Sequence, residues 1–252
     1  MTPLLAAYIL AKLFILPVPG AESMKIVGGK EAIPHSRPYL AHLNVNCGGA
    51  LIKPNWVLTA AHCYNETLLV GDKVVTLGAH YISKPEKEKQ NFAVKKAVPH
   101  PHFNEHSFDF DFMLLKLNGK AMMNKFVSTL NLPASGEDVK RDTKCNVAGW
   151  GITKLDGQPS NKLMEVNVTV VDRKICEKLY INTITRNMFC AGDINGGKDS
   201  CEGDSGGPII CNGIYSGIVS FGEKCGLRDK PGVYALLTNE TLDWIAKVTQ
   251  SY

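Results

Sequence analysis

The chain has 252 residues, 44% of them hydrophobic, enough to bury a substantial core as one or two domains. Lys and Arg (28) barely outnumber Asp and Glu (24), and a net charge of +4 is too mild to call for a nucleic-acid partner. Eight cysteines, an even number, fit an oxidising compartment, and no close cysteine pair is joined by a histidine pair as a zinc site requires.

Residues 4–16 are mostly apolar but too short to span a bilayer, and Pro, Gly and small residues follow at 17–21. This predicts a cleaved signal peptide over 1–21, although Lys12 is unusual inside the apolar run. No other segment is long enough to span a membrane. From there the chain reads as short apolar or alternating runs between Gly, Pro and Asn turns: 49–52, 56–59, 74–77, 112–117, 164–171, 208–211, 214–221 and 232–237. Even spacing of this kind predicts an all-β barrel or sandwich. The one exception predicted is a terminal amphipathic helix, with Leu242, Ile245, Ala246 and Thr249 at helical spacing behind Asn239 as N-cap.

Three residue types in separate runs carry chemistry. Trp56-Val57-Leu58-Thr59 reads as a buried strand that delivers His62 in Thr59-Ala60-Ala61-His62-Cys63, where Cys63 can lock the turn. His35, His80, His100, His102 and His106 stand among Pro, Asn and charged residues and read as exposed loop imidazoles, while His42 reads as an ordinary strand residue. A general base needs a carboxylate that fixes its tautomer. Asp111 abuts the apolar run 112–117, which carries it inward; Asp109 is the competitor on the same side, still within the polar loop. Gly203-Asp204-Ser205-Gly206-Gly207-Pro208 puts a serine hydroxyl on an open turn beside unobstructed N–H groups, as attack on a carbonyl requires.

Three Asn-x-Thr triplets, at Asn65, Asn167 and Asn239, are potential glycosylation sites; Asn167 falls on the polar face of its run with Glu165 and Thr169. The lysine-rich stretch 84–96 reads as a solvated loop, with a glycosaminoglycan patch as the minor alternative.

Ile26-Val27-Gly28-Gly29, Ala60-Ala61-His62-Cys63, Asp111 with its apolar run, and 203–208 together resemble the chymotrypsin/trypsin family of serine endopeptidases, from Ile26 to the C-terminus. The order His, Asp, Ser along the chain is that of this family. The resemblance implies two six-stranded antiparallel β-barrels with a C-terminal helix, and a cleft in which the first barrel supplies His62 and Asp111 and the second Ser205. It implies an oxyanion hole of the Gly203 and Ser205 N–H groups. It also implies disulfides Cys47–Cys63, Cys145–Cys211, Cys176–Cys190 and Cys201–Cys225, each worth about 2–4 kcal/mol.

Lys25-Ile26 is similar to the family's activation bond. The resemblance makes 22–25 a propeptide and 26–252 the peptidase domain, with the freed Ile26 amine pairing Asp204 in an otherwise inactive zymogen. Asp199, with Ser200, falls at the base of the primary specificity pocket, and Gly222 and Gly232 at its walls, which implies substrates with Arg or Lys at the cleaved bond. Ser220-Phe221-Gly222 would pair with extended substrate. Phe221 replaces a trypsin Trp, Phe108 would wall the next subsite, and Glu202 at the rim would disfavour acidic substrate residues. Ala79 replaces a carboxylate of trypsin's calcium loop, so no cofactor or metal is expected. Residues 34–39 and 172–176 are similar to the tryptic granzymes, A and K, which implies secretion or granule storage. With no spare cysteine a monomer is expected. The expected partners are an activating protease, serpin-type inhibitors and, through the lysine-rich stretch, glycosaminoglycan. A digestive trypsin-like protease, and an inactive homologue acting as a binding protein, remain the alternatives.

Overall fold

A computed structural model describes residues 28–69, 71, 73–153, 157–180, 183–193 and 195–251. The expected signal peptide, the propeptide and the Lys25–Ile26 bond lie outside the described residues.

The first sheet is built from β2 (Leu40–Leu43), β3 (Cys47–Lys53), β4 (Trp56–Thr59), β5 (Val75–Leu77), β6 (Gln90–Phe92), β7 (Val94–Pro99) and β8 (Met113–Leu117). Its order is β6-β5-β2-β3-β4-β8-β7, and every pairing is antiparallel. The two strands at its ends, β6 and β7, are separated in the chain by Ala93 alone, so one bent strand closes the sheet into a barrel. The second sheet contains β1 (Lys30–Glu31), β9 (Lys144–Gly149), β10 (Met164–Val170), β11 (Met188–Gly192), β12 (Pro208–Cys211), β13 (Ile214–Phe221) and β14 (Gly232–Leu236). The order β10-β11-β14-β13-β12-β9 returns to β10 through a β9–β10 ladder, and the short β1 is appended beside β10. Counting the bent strand once and leaving out the appended β1, each barrel has six staves, as expected.

Apolar patterning explains why these segments pair. All four residues of β4 are buried, and in β8 only Lys116 is not, its ammonium lying 5.5 Å from the Trp56 ring centroid. On β10, Met164, Val166, Val168 and Val170 face inward and Asn167 is exposed. One cluster gathers Leu43, Leu51, Trp56, Phe112 and Leu114; another gathers Val147, Met164, Phe189, Tyr234 and Leu236. The terminal helix α2 (Asn239–Gln250) adds Ile245 to the first cluster, and so ties the end of the chain to the first barrel.

Several expectations shift. Thr238, not Asn239, is the N-cap of α2, its hydroxyl accepting from Thr241 N. A second helix, α1 (Arg173–Leu179), was not anticipated; its signal was Asp172, whose carboxylate caps Lys174 N at 3.0 Å. Two histidines read as exposed are buried. His80 is 1% exposed and its Nε2 lies 3.0 Å from Glu31 Oε1. His100 is 3% exposed, stacked on Phe110, and burial depresses its pKa to about 4. The lysine-rich stretch is not uniformly solvated either: Lys89 Nζ donates to the carbonyls of Ile82 and Lys84 and lies 3.8 Å from Glu86. Glu165 is buried because Arg37 reaches it at 2.6 Å, which leaves Asn167 as the exposed polar residue of that face.

Four disulfides join Cys47 to Cys63, Cys145 to Cys211, Cys176 to Cys190 and Cys201 to Cys225, the same pairing that the resemblance implies. Among the described residues no helix is long and apolar enough to cross a membrane.

Candidate active site

Strand β4 ends at Thr59 and the chain turns at once into a 3-10 turn, Ala61–Cys63, that holds His62. Two restraints fix this corner: the Cys47–Cys63 disulfide to β3, and Thr59 Oγ1 donating to Gly48 O at 2.7 Å. Asp111 precedes β8, which pairs with β4 in register Thr59↔Met113, so the carboxylate arrives beside the histidine. His62 Nδ1 lies 2.7 Å from Asp111 Oδ2, and His62 N donates to Oδ1 at 2.9 Å. The Asp111 side chain is fully buried, whereas His62 keeps 23% of its side chain exposed. An ionised carboxylate can only accept, so this contact puts a proton on Nδ1 and leaves the Nε2 lone pair free in the neutral ring. Ser220 supplies a third bond, its hydroxyl donating to Asp111 Oδ2 at 2.6 Å from the second barrel.

The segment with Ser205 crosses to meet this corner. Gly48 N donates to Ser205 O at 2.7 Å, and Cys63 Sγ lies 3.8 Å from that oxygen and 3.9 Å from His62 Nε2. His62 and Ser205 therefore flank one sulfur. Gly203 and Gly206 adopt φ of +95° and +80°, which a side chain would oppose. Asp204, Gly206 and Gly207 spend their N–H groups on Cys201 O, Val219 O and Asp204 O, while among the described residues those of Gly203 and Ser205 donate to no acceptor. Two neighbouring free donors can receive a developing oxyanion. Asp204 itself is 1% exposed; its carboxylate accepts from Gly151 N and Cys201 N, and burial lifts its pKa to about 6 against those amides.

Six residues before Ser205 in the chain stands Asp199. Asp199 is 3% exposed, its Oδ2 accepts from Gly226 N at 3.0 Å, and its Oδ1 has no partner among the described residues. Burial raises its pKa to about 7, with the backbone amides of Gly226, Ser200 and Gly232 pulling the other way. A Cβ on Gly232 would lie 2.7 Å from that orphan oxygen, and one on Gly222 would lie 3.8 Å from Gly232 Cα. The two glycines thus lie close together, with Gly232 directly over that oxygen. Ser200 is buried alongside, its hydroxyl 3.0 Å from Tyr234 OH. Phe108 lies 5.6 Å from the His62 ring and 5.3 Å from Phe221, forming an aromatic wall beside the histidine.

The sequence of this chain matches the family model described as Trypsin over residues 26–245. The chain belongs to the trypsin family of serine endopeptidases. Granzyme A of Bos taurus is 50% identical to this protease over 243 residues, 92% of each chain. Mast cell protease 3 of Ovis aries is 41% identical over 251 residues (95% of this chain and 97% of its own), and Trypsin-4 of Rattus norvegicus 43% over 233 residues (90% and 91%).

Within this protease, His62 and Asp111 of the first barrel stand beside the backbone of Ser205 from the second, whereas Asp199, Gly222 and Gly232 all belong to the second barrel. Glu202 is exposed at the rim of the turn. The sequence missed two contributors: the Ser220 hydroxyl, expected only as part of a substrate-pairing strand, and Tyr180, whose hydroxyl donates to Pro231 O at 2.7 Å and whose ring packs on Phe221. No spacing rule ties either to its partner, since the links span 109 and 51 residues. Cys47, His62 and Cys63 bring two sulfurs and an imidazole nitrogen within 4.8 Å, but the sulfurs are joined in a disulfide and offer no thiolate to a metal.

Proposed function

We propose that this protease cleaves peptide bonds after Arg or Lys by a Ser-His-Asp acyl-enzyme route, and that it is secreted or stored in granules as a granzyme A/K-type zymogen. The observation that supports the specificity is Oδ1 of Asp199, which is buried beside Gly232 and has no hydrogen-bond partner among the described residues. A desolvated carboxylate with a free oxygen is costly when empty and is satisfied by an ammonium or guanidinium. Gly222 and Gly232 leave room for the long stem that carries such a group.

With the basic side chain so seated, Ser205 Oγ attacks the carbonyl carbon as His62 Nε2 takes its proton. The Gly203 and Ser205 N–H groups receive the oxyanion, and Asp111 stabilises the imidazolium without taking the proton itself. His62 then returns that proton to the leaving amine, which frees the C-terminal product and leaves an ester on Ser205. Water, deprotonated by His62, opens the ester and restores the enzyme. Residues 220–222, at the end of β13, would hold the substrate backbone as an added strand.

Zymogen control rests on Asp204, a buried carboxylate bound only by two backbone amides among the described residues. Gly28 packs where a Cβ would fall 2.6 Å from Lys198 Cγ, beside the loop leading to Asp199. Cleavage after Lys25 would give Ile26 an ammonium that neutralises Asp204 and fixes the two oxyanion donors. Exposed Asn65, Asn167 and Asn239 suit glycan attachment. Identity to granzyme A exceeds that to the trypsin quoted above, which supports the granzyme branch.

The test is to cut the chain after Lys25, label it with a fluorophosphonate and profile a peptide library. Labelling of Ser205 and cleavage confined to Arg and Lys are expected. Equal hydrolysis by the uncut chain would refute the zymogen reading, and cleavage after apolar residues the specificity.

A further inference from the structure

Asp109 is the acidic residue that the triad leaves unused. Its Oδ1 accepts from Thr185 Oγ1 at 2.6 Å and from Asn187 Nδ2 at 2.9 Å. Both donors belong to the second barrel and are themselves held in place. Asn187 is 5% exposed and its carbonyl accepts from Leu236 N of β14, while the Thr185 carbonyl accepts from Arg173 of α1 at 3.0 Å.

The other side of this junction is under conformational tension. Phe108 and Phe110, on either side of Asp109, have φ of +58° and +51°, a region that side chains with a Cβ avoid. Such conformers persist only where the surroundings over-determine them. Phe108 then stands between the rings of His62 and Phe221, and Asp111 follows two residues later. The sequence offered Asp109 as the competitor to Asp111, still within the polar loop; its bonds instead reach 76 and 78 residues along the chain, to the second barrel.

We propose that Asp109 is a positioning residue that latches the loop bearing Phe108 onto the second barrel. It thereby sets the width of the subsite for the substrate residue just before the scissile Arg or Lys. This rests on the tryptic reading above and extends it to a second subsite.

The experiment uses the chain cut after Lys25, carrying Asp109→Ala, Asp109→Asn, Asn187→Ala or Thr185→Val. kcat and KM are measured on peptides ending in Arg with either a small or a bulky residue before it, and a noncovalent arylamidine reports on the Asp199 slot. Asp109→Ala should change the small-to-bulky ratio of kcat/KM by about tenfold, mostly through KM, with arylamidine affinity unmoved. Asp109→Asn keeps an acceptor oxygen for both donors and should stay within about twofold of the parent. Asn187→Ala and Thr185→Val should shift the ratio in the same direction, which tests the latch from the opposite barrel even if Asp109→Ala does not fold. An unchanged ratio in all the alanine and valine variants, or an Asp109→Asn enzyme as altered as Asp109→Ala, overturns the proposal. Failure of the parent enzyme to label with fluorophosphonate would instead sink the enzymatic reading on which it rests.

Discussion

Acidification should detach a cationic ligand from the Asp199 slot before it disturbs the fold. Only the carboxylate form attracts a cation, and burial places its pKa at about 7 in the empty slot. At pH 5, roughly 1% of the sites would be ionised, so arylamidine affinity should fall about 100-fold from its alkaline plateau, or about 2.7 kcal/mol. Stability runs the opposite way. The folded pKa lies above the unfolded value of 3.8, so the folded state holds more protons between pH 3.8 and about 7. Stability of the empty enzyme therefore decreases as pH rises through that window, by up to about 4 kcal/mol, with little solvent screening because Asp199 is 3% exposed. A bound amidine reverses that loss by restoring a partner to the carboxylate. Calorimetric titration between pH 5 and 8.5, on enzyme cut after Lys25, measures the first effect. Asp199→Asn should bind weakly with a flat profile. Affinity that stays constant from pH 8.5 to 5 in the folded parent would refute the reasoning, because the orphan oxygen would then not be the cation's partner.

Asp111→Asn should lower kcat by about 10⁴, a magnitude set by the family's own worked triad rather than by these distances, and rapid burst kinetics will show it. Ser220→Ala removes one of three bonds to Asp111 and should cost 10- to 100-fold in kcat, the worth of a hydrogen bond to a charged group (about 1.5–3 kcal/mol); unchanged kcat would show the two remaining donors to suffice. Gly232→Ala drives a methyl to 2.7 Å from Asp199 Oδ1 and should reduce cleavage after Arg and Lys by about 10- to 100-fold, while fluorophosphonate still labels Ser205. Trp56→Ala opens a cavity in a side chain 1% exposed and should lower unfolding free energy by about 3–5 kcal/mol in denaturant titration.

Strands with dense or alternating apolar residues were legible: 56–59, 208–211 and 214–221 have the bounds the sequence predicts. By contrast β7, with Lys95 and Lys96, and β9 and β11, with their cysteines and glycines, draw their strand state from neighbours rather than from their own pattern. The histidines divide the same way. His62 was legible because a disulfide-braced corner follows a buried strand. His80 and His100 were misread because the groups that bury them, Glu31 and Trp150 for one and Phe110 and Trp244 for the other, are brought up by tertiary folding.

The linear chain alone supplied the candidates: the histidine, serine and aspartates set in chemically suggestive runs, and eight cysteines whose even number fits an oxidising compartment. It did so because those signals are local, a strand running into a turn or a serine among glycines. Only the assembled barrels decided the tautomer of His62, the orphan oxygen of Asp199, the third bond to Asp111 and the grip of Thr185 and Asn187 on Asp109. Each of those depends on desolvation or on a contact between residues far apart in the chain, quantities that exist only once two closed sheets have met.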